Sequence, residues 1–232
     1  EPYDLLVTGV GGTGVVTVGA LITMAAHLEE KGASVLDFTG FAQKFGPVLS
    51  YIRLAPHPDA IHQVRIDQRS AEAVIGCDVV VSSSPKASAT YRLGTRVALN
   101  TAAMPTGDIV RKRDASLAIP AREKAIAQAV GADNLSGFDA NRAAEKLMGD
   151  TVYANVMMLG FAWQKGLIPV GFEALSRAIE LNGVAVEANH AAFAYGRIMA
   201  DKPEILADRL DPPKPAAKTA QEIIAHRAAF LA

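Results

Sequence analysis

Residues 3–14 read YDLLVTGVGGTG. The apolar run closing at Val10 is the length of one strand and too short for an ordinary helix. Its near-continuous hydrophobic character is that of a parallel strand covered on both faces. Glycines stand at 9, 11, 12 and 14, and residues 13–30 continue as an apolar helical run that Gly32 is placed to cap. A second short strand, SVLDF, follows at 34–38. Strand, glycine turn, helix and strand make a βαβ unit, for which a right-handed parallel crossover is expected.

Outward from this unit, VLSYIRL at 48–54 alternates as a half-buried strand. The pattern then predicts a short helix at 70–75, strands at 78–82 and 95–100, a helix at 121–130 and a last strand at 135–138. This alternation over 1–139 predicts a Rossmann-like, doubly wound, mostly parallel α/β sheet. The character changes afterwards. Helical runs at 140–148, 151–165, 171–181 and 184–199, punctuated by Gly166, Pro169 and Gly183, predict a helical portion over 140–210 packed on the sheet. Asp150 is placed to cap the second of them, whose segment VYANVMMLGFAW is apolar nearly all round and so expected to be buried on several sides. Residues 211–232 read as a linker, DPPKP, and a tail helix at 218–231.

The chain has 232 residues, half hydrophobic and a fifth charged, so it can build a globular core. Its net charge of −1 gives no general electrostatic reason to bind nucleic acid or a membrane surface. The lone Cys77 excludes a disulfide framework, and a cysteine-ligated zinc or iron–sulfur site made by this chain alone. That usage fits a reducing, cytoplasmic compartment. No run is long and apolar enough for a membrane span, and no signal peptide is visible. A start at Glu1-Pro2 without methionine, and the DPPKP tail, read as a piece cut from a longer chain.

Gly9-Val10-Gly11-Gly12-Thr13-Gly14 fits G-x-G-x-x-G after a strand and at a helix start. The first glycine permits the tight turn, the second lets backbone approach a phosphate, and the third allows close helix–strand packing. Unpaired N–H groups of the helix N-terminus then face an anion. Candidate ligand contacts are therefore Gly9, Gly11, Gly12, Thr13 and Gly14, with Asp37 at the end of the second strand as the acid a dinucleotide ribose would need. Ser83 and Asn100 follow other strands and are placed to line the same crevice. Gln43 lies in the aromatic, one-cation loop GFAQKFGP at 40–47. The plainer alternative is tight turns, strand ends and helix caps. No catalytic residue stands out: there is no G-x-S-x-G and no paired carboxylates, and Cys77 reads as a small buried hydrophobe. The five histidines lack metal-ligand spacing with nearby acids, so no metal site is expected. Gly149-Asp150 and Asn182 are faintly like a thiamine-diphosphate metal motif, but the second glycine and the paired asparagines are missing, and the residues read as helix caps.

Five strings taken together are more specific than the glycine loop: GVGGTGVVTVGALI (9–22), LDFTGFAQKFGPVLSYIRLA (36–55), GCDVVVSSSPKA (76–87), NTAAMPTGD (100–108) and ELNGVAVEANHAAFAYGR (180–197). Over residues 3–205 the chain resembles the gamma-type domain of 2-oxoacid:ferredoxin oxidoreductases, most of all the C-terminal region of the fused indolepyruvate enzymes. The resemblance implies a Rossmann-like accessory domain. Its parent enzyme decarboxylates an aryl 2-oxoacid on thiamine diphosphate with Mg, passes electrons through [4Fe–4S] clusters to ferredoxin and delivers the acyl group to coenzyme A. It implies thiamine-binding and iron–sulfur domains as partners, and a role for this domain in shaping the coenzyme A approach. The chain departs from the family's A-Q-K-G-G at Phe45, which precedes Gly46 and Pro47, leaving a bulkier and stiffer loop. The apolar helices of 151–199 also lead us to expect a homodimer. The alternative is an NAD(P)-dependent dehydrogenase with a helical substrate domain, in which Lys165 or Asn182 polarises a carbonyl.

Overall fold

A computed structural model describes residues 2–39, 46–103 and 117–212. The expected tail helix at 218–231 and Gln43 lie outside these residues. The strands are β1 (Tyr3–Val10), β2 (Gly32–Thr39), β3 (Pro47–Ala55), β4 (Ala73–Gly76), β5 (Arg96–Asn100) and β6 (Leu135–Phe138). They form one mixed sheet in the order β2-β3-β1-β4-β5-β6. Only β3 is reversed: it pairs antiparallel with β1 and β2, whereas the β1–β4, β4–β5 and β5–β6 pairs are parallel.

The helices form two layers. On one face α1 (Val15–Leu28) packs with α5 (Ala140–Met148), α6 (Ala154–Gln164), α7 (Phe172–Asn182) and α8 (Val186–Asp201) against Leu5, Val7, Ile52 and Ile75. On the other, α2 (Val79–Ser82), α3 (Pro85–Ser88) and α4 (Ile119–Val130) cover Leu6, Tyr51, Val74 and Leu99. The chain thus leaves β1 toward one face and β4 toward the other, which puts a topological switch point between their carboxyl ends. The later helices share one continuous core with α1 and the sheet. Every residue of α6 from Ala154 to Ala162 is buried, as its all-round apolar character predicts.

Three expectations change. The βαβ unit keeps its parallel direction, but β3 is inserted between β1 and β2. Consequently β3 is not half-buried: Val48–Ala55 is buried throughout, because the strand lies inside the sheet with both faces covered. The strand expected at 78–82 is a short helix, and the helix expected at 70–75 gives way to β4 at Ala73–Gly76. Asp78 is the reason for the helix at 79–82. Its carboxylate accepts the Val81 N–H at 2.7 Å, which starts a helix despite three consecutive valines. A Cβ on Gly76 would lie 2.5 Å from Ser82 Oγ, so only glycine lets the returning helix pack there.

Candidate functional site

The glycine loop forms between β1 and α1, but the glycines divide their work differently from the expectation: close helix–strand packing falls to Gly9 and the positive φ to Gly12 and Gly14. A Cβ at Gly9 would lie 2.4 Å from Val15 Cγ2, so the helix packs directly on the strand end. Gly11 N–H donates to Gly46 O at 2.7 Å, tying the loop to the residue before β3. Gly12 and Gly14 have φ of +85° and +89°, left-handed conformations that disfavour a side chain. Thr13 Oγ1 donates to Val10 O at 2.8 Å and closes the turn. Gly14 caps α1 without a side-chain hydrogen bond, and the first turn of this 14-residue helix carries no acid. Its N-terminal N–H groups are therefore left for another acceptor.

The loop faces a hollow of about 210 Å³ whose polar lining comes from Gly12, Thr13, Asn141, Asp150, Thr151 and Asn155. Asn155, 7 % exposed, donates through Nδ2 to Thr13 O at 2.6 Å. Asp150 spends one oxygen on the Val152 N–H at 2.9 Å, the capping role its sequence position indicates.

Asn100 sits at the end of β5 and is 1 % exposed. Its Nδ2 donates to Cys77 O at 3.2 Å and Asn141 Oδ1 at 2.8 Å, and its Oδ1 accepts from Ala102 N at 3.1 Å and Ala140 N at 3.0 Å. A carboxamide has two donors and two acceptor positions, so all four are used inside the fold. Asn100 orients Asn141 toward the hollow and keeps nothing for a ligand. Ser83 likewise accepts from Arg122 Nη1 at 2.8 Å and donates to Val80 O at 3.1 Å, on the opposite face of the sheet from α1. Asp37 is not beside the loop. It lies on edge strand β2, accepts the Ser50 hydroxyl, and is level in register with Val7 across β3. Two strand spacings, about 9–10 Å, separate it from β1.

Two residues that matter here escaped sequence reading. Asn155 had a signal, a carboxamide inside an apolar helix, since buried amides need partners. Asp78 lies at the carboxyl end of β4, 2 % exposed, and its Oδ2 is the one buried side-chain oxygen without a partner among the described residues. Burial raises its pKa, opposed by the Val81 and Val80 N–H groups and by Arg122. Its neighbour Cys77 is also buried, and desolvation, then the Asp78 charge, push the thiol up to about 12. Among the described residues no three histidine, cysteine or acidic side chains converge to hold a metal. With one cysteine, the chain cannot by itself supply the thiolates of an iron–sulfur cluster. No helix among the described residues is long and apolar enough to cross a membrane.

These elements define an α/β unit with a glycine loop and a small polar hollow at the switch point of its sheet. The chain belongs to the pyruvate ferredoxin/flavodoxin oxidoreductase family, whose profile matches residues 4–198. It is 27% identical over 204 residues to the indolepyruvate oxidoreductase subunit IorB of Pyrococcus horikoshii, covering 84% of this chain and 95% of that one. The IorB of Thermococcus kodakarensis is 24% identical over 202 residues, with the same coverage. The fold is also that of the pyruvate oxidoreductase subunit PORC of Thermotoga maritima (TM-score 0.58, 17% identity, 85% of this chain and 96% of that one). It matches a 2-oxoglutarate:ferredoxin oxidoreductase of Magnetococcus marinus at TM-score 0.63 and 16% identity, where 86% of this chain corresponds to 31% of the other.

Proposed function

We propose that this chain is the gamma-type unit of an indolepyruvate-class 2-oxoacid:ferredoxin oxidoreductase, working within an assembly whose other parts hold thiamine diphosphate and the iron–sulfur clusters. The observation that carries this reading is the match to IorB subunits across 95% of their length. The donors of this chain agree with it, since they are those of a phosphate-facing loop and not of a redox centre. In this reading the uncapped start of α1 and the N–H groups of Gly12 and Gly14 take a phosphate oxygen, as from coenzyme A. Asp150 and Asn141 on the far wall then suit a hydroxyl or amide donor of the same ligand. Thr13 and Asn155 hold the loop in shape. Chemistry on the oxoacid belongs to the partner subunits, and coenzyme A supplies the thiol that accepts the acyl group.

The position of Asp37 weighs against a nicotinamide dinucleotide on this loop, because the acid for its ribose stands two strands away. The test is reconstitution. Neither the chain alone nor the partner subunits alone should turn over indolepyruvate with thiamine diphosphate, coenzyme A and a dye acceptor, whereas the combined subunits should. Turnover by the isolated chain, or full activity of the partners without it, would overturn the reading.

A further inference from the structure

A second hollow, of about 480 Å³, lies on the face of the sheet opposite α1. Its floor is Tyr51, in the middle of β3 and only 4 % exposed. Ile66 and Pro85 give apolar wall, and Arg65, Lys86 and Asp67 stand at the rim. The size is that of a small-molecule pocket.

The Tyr51 phenol lines the hollow and makes no hydrogen bond among the described residues, although the residue is almost fully covered. Buried phenols ordinarily find a partner, so an open one points to something that fills the space. Among the described residues Arg65 and Lys86 form no ion pair, and Arg65 lies 5.6 Å above the Phe38 ring, which itself meets Tyr51 edge-on at 5.4 Å. The guanidinium is thus held over an aromatic, and its N–H fork meets no acceptor among the described residues. Asp67, the lone carboxylate of the lining, accepts from Gln63 Nε2 at 2.7 Å. Two free cations over an unpaired phenol, with apolar wall beside them, match an oxyanion attached to a flat apolar body.

We propose that this hollow binds a small molecule made of an aromatic ring bearing a carboxylate or phosphate. The oxyanion meets Arg65 and Lys86, the ring lies against Ile66 and Pro85, and Tyr51 bonds an oxygen of the ligand. This site is separate from the glycine loop and stands or falls independently of it.

The experiment is calorimetric titration of the full chain with phenylacetate, with AMP and with inorganic phosphate. Binding of phenylacetate or AMP in preference to phosphate is expected. The tighter of the two tells whether the ring source is an aryl acid or a nucleotide. Arg65→Met and Lys86→Met, both at exposed positions, should each weaken binding about tenfold or more. Tyr51→Phe should weaken it about threefold to tenfold while the ring keeps the floor intact. A far-ultraviolet spectrum and melting midpoint unchanged from the parent show that each variant is folded. No binding of either ring probe, phosphate binding as well as they do, or affinity unchanged in the Arg65→Met/Lys86→Met double variant would overturn the proposal.

Discussion

The side-chain amide of Asn155 donates to the carbonyl oxygen of Thr13 at 2.6 Å and reaches the Thr13 hydroxyl at 3.3 Å. A helix from the second half of the chain thereby fixes the loop at its beginning. Asn155→Ala should cost about 1 kcal/mol, since it leaves the half-buried Thr13 carbonyl without its donor. Asn155→Asp should lose nearly as much despite its shape, because an ionised carboxylate only accepts. Urea unfolding measures the cost. Faster amide exchange confined to the glycine loop would separate loosening of the loop from general destabilisation.

The helices α6 and α8 cross with their backbones in contact. A Cβ at Gly160 would lie 2.1 Å from Phe193 O, and one at Gly196 would lie 1.9 Å from Met157 O. Neither obstacle is a side chain that can swing away. Gly160→Ala and Gly196→Ala should therefore each cost about 3 kcal/mol or more, at the upper end of overpacking. Gly12→Ala, which meets nothing within 4 Å but sits at φ +85°, should cost only the left-handed strain, about 1–2 kcal/mol. Thermal melts of the three variants should rank in that order.

The sequence made some of this legible and hid the rest for identifiable reasons. The glycine turn could be read because each glycine answers a local demand, a close contact at Gly9 and a positive φ at Gly14. The helices of the second half were legible from the glycines and proline that punctuate them and from the cap at Asp150. The insertion of β3 between β1 and β2 could not be read, because strand order is set by which edges meet and not by local pattern. The error at 78–82 came from β-branched propensity: DVVVS looks like a strand, yet Asp78 caps a helix where the chain must leave the sheet. The roles of Asn100 and Asp37 were misjudged in part because position after a strand does not say whether the side chain already has partners. Asn100 turned out to be saturated, and Asp37 stood on the edge.

Asp78 gives a pH prediction. Burial is the main cause of its raised pKa, so the folded protein holds this proton more tightly than the unfolded chain. Between the ordinary carboxylate value and the raised one, the folded state binds more protons. Its stability contribution is then complete at low pH and is lost as pH rises through the folded value. Asp78→Asn keeps an oxygen for the Val81 N–H and removes the titration. The variant should gain stability relative to the parent as pH rises from about 4 to about 7. A difference that stays flat across that range would contradict the assignment.

Cys77 should be silent in the native protein. The thiolate is the reactive form, and burial, then the neighbouring Asp78, push the thiol up to about 12. A disulfide reagent at mildly alkaline pH should label no thiol in the folded chain and one in denaturant. Rapid native labelling would mean that the strand end beside Gly9 opens far more readily than its packing indicates.

The ion pair between Asp4 and Arg53 joins facing residues of β1 and β3, with Arg53 Nε 2.6 Å from Asp4 Oδ1. Both residues are buried, and desolvation raises the Asp4 pKa against the lowering effect of Arg53. Attraction and burial cost nearly cancel in such a pair, so its worth lies in what happens when one member is lost. Arg53→Met leaves Asp4 with the Ser70 hydroxyl at 3.2 Å as its remaining side-chain partner. It should cost about 3–5 kcal/mol near neutral pH. Because the unpaired Asp4 is pushed further toward its neutral form, that cost should shrink as pH falls toward the ordinary carboxylate range. Replacing both residues, as Asp4→Leu/Arg53→Met, should recover most of the loss, since no charge is then left inside the sheet. Equal losses in the single and double variants would show instead that the pair stabilises β1 against β3 in its own right.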